Sequence, residues 1–504
     1  MDVFDKILLG FSVTLTPGNL LFCFVGTIFG TLVGVLPGFG PVGAFSILLP
    51  LTYKMSPTSA IIMLAGVYYG AMYGGSTTSI LVNIPGESAS IVTCLDGYQM
   101  ARQGRAGPAL GIAAIGSFIG GTLAIVGLMF LAPVLGQAAL SFGPPEFFGL
   151  AFLGLTLVSY LSRGSTTKAL IMAVLGLLTG SIGMDPINGA PRFTHGTTTL
   201  MDGVGLVPVA IGMFGVAEVL ENIESTSTVS IFKTKIKGLL PTLKDWKDSI
   251  WAILRGTILG FFIGMLPGPS GTIGSFASYA LEKKISRHPE KFGTGVIEGV
   301  AGPETANNAA TTGAFIPLLS LGIPISGTTA ILLGVLMIHG VQPGPLFISK
   351  HPDIFWGVVT SMYVGNVMLL ILNLPLIGMW VRVLRIPYAL LIPFIFLFCL
   401  VGVYTLNNDV AEIFIMLIFG IVGFLMRKVK LEGAPFLMAL VLGPVMESSL
   451  RQSLLLSHGS PIIFLARPIS AIFVILGLAC LITSLIPMVR RKREDFTKKI
   501  VEGD

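Results

Sequence analysis

The chain has 504 residues, of which 53% are hydrophobic and only 11% charged, and its formal net charge is +6 at pH 7. Soluble globular domains carry about 25% charged residues, so this composition excludes an ordinary soluble protein. Apolar stretches long enough to cross a bilayer recur along the whole length. The basic residues lie in short loops between these stretches, where they set membrane orientation, and they indicate no nucleic-acid partner.

Two stretches of the chain have nearly the same sequence: GTIFGTLVGVLPG at 26–38 and GTILGFFIGMLPG at 256–268. Glycines at four-residue spacing in both copies predict helix faces that pack closely against neighbouring helices. These packing glycines are Gly26, Gly30, Gly34, Gly256, Gly260 and Gly264. Each copy ends in Leu-Pro-Gly, which interrupts a helix inside an apolar stretch. Interruptions at corresponding places in two halves point to the binding site of a secondary transporter.

The predicted fold is an all-α polytopic membrane protein with about 10–12 transmembrane helices, built from two homologous halves with discontinuous helices or re-entrant hairpins. The first half spans 1–222, a cytoplasmic linker 223–248, the second half 249–489 and a basic cytoplasmic tail 490–504. Positive charges place the linker and the tail in the cytoplasm and residues 350–353 outside. Because equivalent loops then face opposite sides, inverted repeats are favoured over parallel ones.

A second interrupted segment follows in each half, at 73–89 and 306–330, and the two match weakly through Ile84-Pro85 and Ile323-Pro324. A helix can break at membrane depth only where protein, water or ligand satisfies its backbone groups. Half-helix N-termini attract anions, whereas half-helix carbonyls coordinate small cations. The substrate- and ion-binding residues predicted around the four breaks are Pro37, Gly38, Phe39, Gly40, Ser76, Thr77, Thr78, Asn83, Pro267, Gly268, Pro269, Ser270, Asn307, Asn308, Thr311, Ser326 and Thr328. Sodium sites are predicted near Gly38, Gly268, Asn307 and Asn308.

Two acidic residues, Glu87 and Glu304, flank the breaks and are candidate sodium or proton sites, with a half-helix cap as the alternative role of each. Asn307 and Asn308 beside Glu304 form the sharpest polar patch, because adjacent amides are poor helix residues and are costly in lipid. Other charged residues of the first half are assigned to a loop: Asp96, Arg102 and Arg105.

Signatures of catalysis are missing from the chain. The HExxH, GxSxG and P-loop motifs do not occur, the five histidines never pair at ligand spacing, and the four cysteines stand singly without CxxC. The sequence therefore predicts no enzyme, no catalytic residue and no cofactor besides a coupling ion. An intramembrane enzyme and an ATP-driven pump are the weaker hypotheses. The main alternative to a permease is an ion channel or exporter built on similar broken helices.

Three longer strings carry a resemblance to a known family: VGVLPGFGPVGAFSILLPLTY, YYGAMYGGSTTSILVNIPGESASIVTCLDGYQMARQGRAGPALG and EGVAGPETANNAATTGAFIPLLSLGIPISGTTAILLGVLMIHGVQPGP. They resemble the large membrane subunit of the bacterial tripartite tricarboxylate transporters. The likeness covers nearly the whole chain, from about Gly18 to the last helix.

The resemblance implies a binding-protein-dependent secondary transporter that imports organic carboxylates, of the di- and tricarboxylate class that includes citrate, by symport with a cation, usually sodium. It also implies two protein partners, a small four-helix membrane subunit and an extracytoplasmic solute-binding protein, besides the substrate and the lipid bilayer. The expected location is the bacterial inner membrane, as a multi-pass protein with a cytoplasmic C-terminus.

Overall fold

The computed structural model describes residues 3–36, 40–161, 165–185, 187–224, 238–383 and 388–485. Within these ranges the chain is almost entirely helical, and the one sheet is an antiparallel ribbon of β1 Gly183–Met184 and β2 Pro191–Arg192. The predicted all-α membrane fold is confirmed. The predicted site residues Pro37, Gly38 and Phe39, part of the linker and the basic tail lie outside the described residues.

The linker divides the helices into two groups along the chain. Those before the linker are α1 Val3–Thr14, α2 Pro17–Val35, α3 Gly40–Thr52, α4 Pro57–Val82, α5 Thr93–Arg102, α6 Ala106–Ala139, α7 Pro144–Leu161, α8 Thr166–Gly180, α9 Leu206–Ala210 and α10 Ala217–Glu224. Those after it are α11 Leu243–Gly264, α12 Ser270–Ile285, α13 Glu298–Gly313, α14 Phe315–Leu321, α15 Gly327–Ile338, α16 Phe347–Lys350, α17 Pro352–Asn373, α18 Ile377–Val383, α19 Tyr388–Asn407, α20 Val410–Lys428, α21 Gly433–Leu456, α22 Ile463–Ala466 and α23 Pro468–Leu485.

Several helices are long and apolar enough to cross a membrane. Among the described residues seven spans qualify: α2, α6, α7, Leu206–Glu224, α17, α20 and α21. The span Leu206–Glu224 joins α9 to α10 through a π-helical segment at Ile211–Val216. Shorter apolar helices, such as α3 and α15, lie next to the interruptions of the chain.

The glycine faces of the two copies pack against a second helix of the same half. In the first half, α2 lies along α4, and its glycines face these backbones in turn: Gly26 on Met63, Gly30 on Val67 and Gly34 on Ala71. In the second half, α11 lies along α13 in the same steps: Gly256 on Gly302, Gly260 on Ala306 and Gly264 on Ala310. The predicted packing role of these glycines is confirmed, because a Cβ atom would collide with the facing backbone at each position.

The second interruption of each half lies within the predicted segment, 73–89 or 306–330, toward its C-terminal end. Helix α4 continues through Ser76, Thr77 and Thr78 and ends at Val82, where Asn83 takes a left-handed conformation with φ 57°. After the break, the Glu87 side chain caps a 3-10 turn over Ser88–Ile91. Helical packing inside a buried bundle overrides the weak helix propensity of the small polar residues.

The second half repeats this arrangement in register. Helices α13 and α14 carry the chain to Leu321, and Gly322 takes the left-handed conformation with φ 71°. Ser326 then caps α15 through a capping box with Thr329. The predicted match of Ile84-Pro85 with Ile323-Pro324 places both dipeptides just after the left-handed residue.

The Leu-Pro-Gly break of the second half contacts the second break of the same half. Gly268 has φ 125°, a conformation that favours glycine, and its N–H donates to the Ile325 carbonyl at 2.8 Å. Helix α12 begins two residues later, at Ser270. The two interruptions therefore meet at one place in the fold.

The assignment of Asp96 and Arg102 to a loop is wrong, since both lie in α5. Asp96 is fully buried, and its carboxylate accepts hydrogen bonds from the backbone N–H groups of Gly293, Gly295 and Val296 in the second half. These donors replace water around the carboxylate and allow it to be buried.

Candidate functional site

A buried carboxylate lies where the two halves meet. Glu304 of α13 is 1% exposed, and the hydroxyls of Ser76 in α4 and Thr93 in α5 donate to its two oxygens. Polar partners of this kind are what a carboxylate needs at membrane depth. The cluster ties two first-half helices to the second half.

The Asn308 amide strengthens the same junction. Its Nδ2 donates to the Ser117 hydroxyl of α6 at 2.7 Å and to the Glu304 carbonyl at 3.1 Å. The side chain is 3% exposed and both donor bonds are made to protein groups, whereas its Oδ1 is buried and has no hydrogen-bond partner among the described residues. This amide therefore holds α13 against α6.

The neighbouring amide, that of Asn307, has a different environment. Its Nδ2 donates to Glu87 Oε1 across the halves at 3.2 Å. Its Oδ1 is fully buried, faces Gly271 at the start of α12, and has no hydrogen-bond partner among the described residues. A buried amide oxygen without a partner costs about 1–3 kcal/mol, so the position indicates a group that binds there.

Helix α12 presents its N-terminus to this amide. Ser270 and Thr272 in its first turn are buried, and Pro269 provides no side-chain cap. The hydroxyls of Thr272 and Ser88 are hydrogen-bonded at 3.0 Å, which brings the second-half break onto the first-half break. Ser88 is exposed and Glu87 half-buried, so the edge of this junction is open.

A related contact occurs on the opposite side of the junction. Tyr68 follows Val67 in α4 as Asn307 follows Ala306 in α13, so the two residues are equivalent in the packing register. The Tyr68 hydroxyl faces Ser326, the cap of the second-half break, and Thr311. Each half therefore brings a polar side chain near the capping residue of the other half's break.

The predicted site residues divide into two groups. The structure brings together Ser76, Gly268, Ser270, Asn307, Asn308 and Ser326, in or beside the contacts described above. Others have different surroundings: Asn83 is exposed, and the Thr78 hydroxyl bonds within α4 to Gly75. The Thr311 hydroxyl lies near Tyr68 and donates to the Asn307 carbonyl of its own helix.

The predicted set omits several residues of the junction: Tyr68, Thr93, Ser117, Gly271 and Thr272. Tyr68, Thr93 and Ser117 lie outside the interrupted segments, so no local pattern separates them from ordinary packing residues. Gly271 and Thr272 follow the predicted Ser270 directly, and the free helix end is the signal that indicates them.

A cavity of about 1260 Å³ lies apart from the contact between Glu87 and Asn307. It reaches the second break at Gly322 and Ile323, and its wall includes Lys350 and His351. The cavity thus joins the second-half interruption to residues 350 and 351, in the segment predicted to lie outside.

An ionic network lines one edge of this cavity. Arg192 pairs with Glu447 at 2.7 Å, and Arg451 pairs with Asp185 at 2.8 Å. The Arg451 guanidinium lowers the pKa of the Asp185 carboxyl to about 2. The network holds the β-ribbon against α21.

Comparison with known proteins distinguishes among the function classes left open by the sequence. A model of the tripartite tricarboxylate transporter TctA family matches residues 20–438. The chain belongs to this family. The predicted resemblance is confirmed, and the TctA assignment makes the chain a membrane subunit of a transporter.

Three relatives of this TctA protein are uncharacterized. A 52.8 kDa protein from the TAR-I ttuC' 3' region of Agrobacterium vitis is 48% identical over 504 residues, which are the whole of both chains. A protein from the TAR-II ttuC' 3' region of the same organism is 46% identical over 235 residues, which are 47% of this chain and 97% of the relative. A Methanocaldococcus jannaschii protein is 22% identical over 278 residues, or 54% of this chain and 63% of the relative. No solved structure matches this chain.

Proposed function

We propose that this TctA protein is the permease of a binding-protein-dependent secondary transporter, which imports an organic carboxylate of the di- or tricarboxylate class by symport with sodium. The observation that carries the proposal is the hydrogen bond between Asn307 and Glu87, which joins the halves at an interruption of the chain. Sites of secondary transporters lie between repeats, at broken helices, where half-helix ends meet the ligand.

The proposed substrate site is the junction of the two breaks, bounded by Glu87, Ser88, Gly268, Thr272 and Asn307. Oxygen atoms of the amide, carboxylate and backbone groups there suit a small cation, and the α12 end suits an anion. The sodium positions proposed at this junction are those near Gly268 and Asn307, and the positions near Asn308 and Gly38 stay predictions from the sequence.

The proposed complex contains two further proteins. A small four-helix membrane subunit accompanies the permease, and an extracytoplasmic binding protein delivers the substrate, as the tripartite name of the family implies. The proposed location is the bacterial inner membrane, with the C-terminus in the cytoplasm. The proposed transport involves no enzymatic step and no ATP hydrolysis.

The experiment is uptake into proteoliposomes that contain both membrane subunits. Labelled citrate and a panel of di- and tricarboxylates are tested with the loaded binding protein, with and without an inward sodium gradient, in the absence of ATP. We expect uptake that needs both the sodium gradient and the binding protein. Undiminished uptake without sodium would remove the sodium assignment, and ionic current without the binding protein would favour a channel.

A further inference from the structure

One amide group stands between a carboxylate and the positive end of a helix. On one side of Asn307 its Nδ2 contacts Glu87 Oε1 at 3.2 Å. On the other side, its Oδ1 faces Gly271, in the first turn of the 16-residue helix α12. The two sides have opposite electrostatic preferences, since a carboxylate attracts cations and a helix N-terminus attracts anions.

The N-terminus of α12 has free donors. The Ser270 N–H donates to the Gly268 carbonyl, and the Ile273 N–H donates to the Pro269 carbonyl. The N–H groups between them have no partner among the described residues, and no side chain caps the helix. Such an end, buried in protein, is suited to a carboxylate oxygen.

The Asn307 side chain supplies a second and independent indication of a ligand. Its Oδ1 is fully buried, has no partner within the described part of the chain, and faces this helix end. An amide side chain carries one acceptor and two donors, and a half-turn about its terminal bond exchanges them. After that turn, Nδ2 would face the α12 end and Oδ1 would face Glu87.

We propose that Asn307 couples the two ligands of the permease: sodium binds between Glu87 and the Asn307 oxygen, and a substrate carboxylate binds between the α12 N-terminus and the Asn307 nitrogen. Sodium favours the amide orientation in which Oδ1 faces Glu87 and Nδ2 faces the α12 end. The substrate carboxylate favours the same orientation, so each ligand promotes binding of the other. The Glu87 charge repels the substrate until sodium neutralises it, so the carboxylate binds tightly only with the cation. This inference rests on the proposed function and adds the ion-coupling residues to it.

The two halves differ in the charge of the residue that caps the segment after the second break. The position equivalent to Glu87 in the second half is Ser326, and both side chains cap the segment that follows their break. Only the first-half cap is acidic. The cation therefore binds on the first-half side, and the substrate carboxylate binds at the α12 end of the second half.

The proposed sodium site between Glu87 and Asn307 is tested by measuring the binding of radioactive sodium to the purified complex of both membrane subunits. Glu87→Gln keeps the side-chain oxygen that accepts from the Ala89 N–H, so the cap and the fold are preserved. We expect wild-type complex to bind sodium and the Glu87→Gln complex to lose that binding by about tenfold or more, with an unchanged melting temperature. Sodium binding by Glu87→Gln equal to that of the wild type overturns the inference.

The proposed carboxylate site at the α12 N-terminus is tested by substituting two glycines of this helix. A Cβ atom on Gly271 would lie 3.1 Å from Asn307 Oδ1 and 3.5 Å from the Ala89 Cβ, whereas one on Gly274 would make only ordinary contacts at 3.6 Å or more. Gly271→Ala should weaken binding of the transported acid about tenfold and leave sodium binding in the absence of acid unchanged. Gly274→Ala is the matched control and should bind both ligands normally. Equal acid affinity of the two variants overturns the anion site.

The coupling itself is read from acid binding with and without sodium. Sodium should raise wild-type affinity by about tenfold or more, within the range of coupled ligands, and should change the affinity of Glu87→Gln by less than about twofold. Full sodium stimulation in Glu87→Gln would overturn the coupling role while the proposed function stands. If the wild type takes up no acid of the panel, the proposed function fails, and sodium binding to Glu87→Gln still decides the ion site.

Discussion

The contact between α2 and α4 leads to a prediction at Gly30. A Cβ atom on this residue would lie 2.5 Å from the Val67 carbonyl oxygen and 2.8 Å from the Val67 Cα. Ordinary contact begins at 3.4 Å, so Gly30→Ala requires the two helices to separate locally by about 0.9 Å. Gly26 and Gly34 hold α2 equally close to α4 on either side, so the helix cannot relieve the overlap by tilting.

The expected cost follows from two opposing effects. Overpacking a tight contact costs about 1–3 kcal/mol, and the rigid backbone on both sides of Gly30 favours the upper part of that range. Alanine in place of glycine within a helix contributes up to about 1 kcal/mol of stabilisation. Gly18→Ala on the same helix is the matched control, because a Cβ there meets nothing within 4 Å. Gly30→Ala should therefore be less stable than Gly18→Ala by about 2–3 kcal/mol.

The assay is thermal unfolding of the detergent-purified protein, followed by size-exclusion chromatography of the heated samples. We expect the melting temperature of Gly30→Ala to lie a few degrees below that of Gly18→Ala. Equal melting temperatures would refute the backbone contact between α2 and α4. Normal stability with a selective loss of substrate affinity would show that the glycine face borders the ligand.

Two further predictions concern charged groups, and a third concerns membrane topology. Asp96→Asn keeps Oδ1 but replaces Oδ2, which accepts from the Tyr279 hydroxyl and the Gly293 N–H, by a donor, so the melting temperature should fall, by the equivalent of about 2 kcal/mol. Arg255→Lys breaks the paired bonds to both Glu282 oxygens and should cost about 1 kcal/mol, measured in the same assay, while Arg255→Ala should cost more. A reporter inserted at 350–353 should be labelled from outside intact cells, and labelling only after lysis would contradict the inverted arrangement of repeats.

The sequence predicts those parts of the fold that repeat at short range. The packing faces of α2 and α11 are visible because Gly26, Gly30 and Gly34 recur at the helical period, and their partners are backbone atoms that any helix supplies. The turn at Gly322 is also local, because glycine readily adopts the left-handed conformation that ends a helix, but the sequence predicts only the segment 306–330 that contains it. These features depend on the residue itself and need no distant partner.

Contacts between the two halves cannot be predicted from such local patterns. An acidic residue near arginines is typical of a loop, which is why the sequence misplaces Asp96, whose second-half donors are almost 200 positions away in the chain. In the same way, Glu304 can be selected as a buried acid, but its partners Ser76 and Thr93 follow only from the packing of α4 and α5 on α13. Residue type predicts that these side chains need partners, and tertiary structure determines which.

The two adjacent amides of α13 provide the last prediction, because the structure gives them different partners. Asn308 bonds to Ser117 of α6 and to the Glu304 carbonyl of its own helix, so Asn308→Ala removes one interhelical and one intrahelical bond, worth about 1 kcal/mol each, and should lower the melting temperature.

Within the described part of the chain the Asn307 side chain makes one hydrogen bond, from Nδ2 to Glu87 at 3.2 Å, so Asn307→Ala should leave stability nearly unchanged. It should reduce sodium-driven uptake at least about tenfold, which corresponds to ~1.4 kcal/mol of lost ligand binding. Uptake and melting temperature are measured on the same preparations of both variants. If Asn307→Ala transports normally, or if both variants lose stability equally, the division between a ligand-facing and a structural amide is wrong. Residue type and position in the chain alone predict the same behaviour for both variants. A loss of uptake in Asn307→Ala together with a loss of stability in Asn308→Ala therefore tests the different contacts of the two amides.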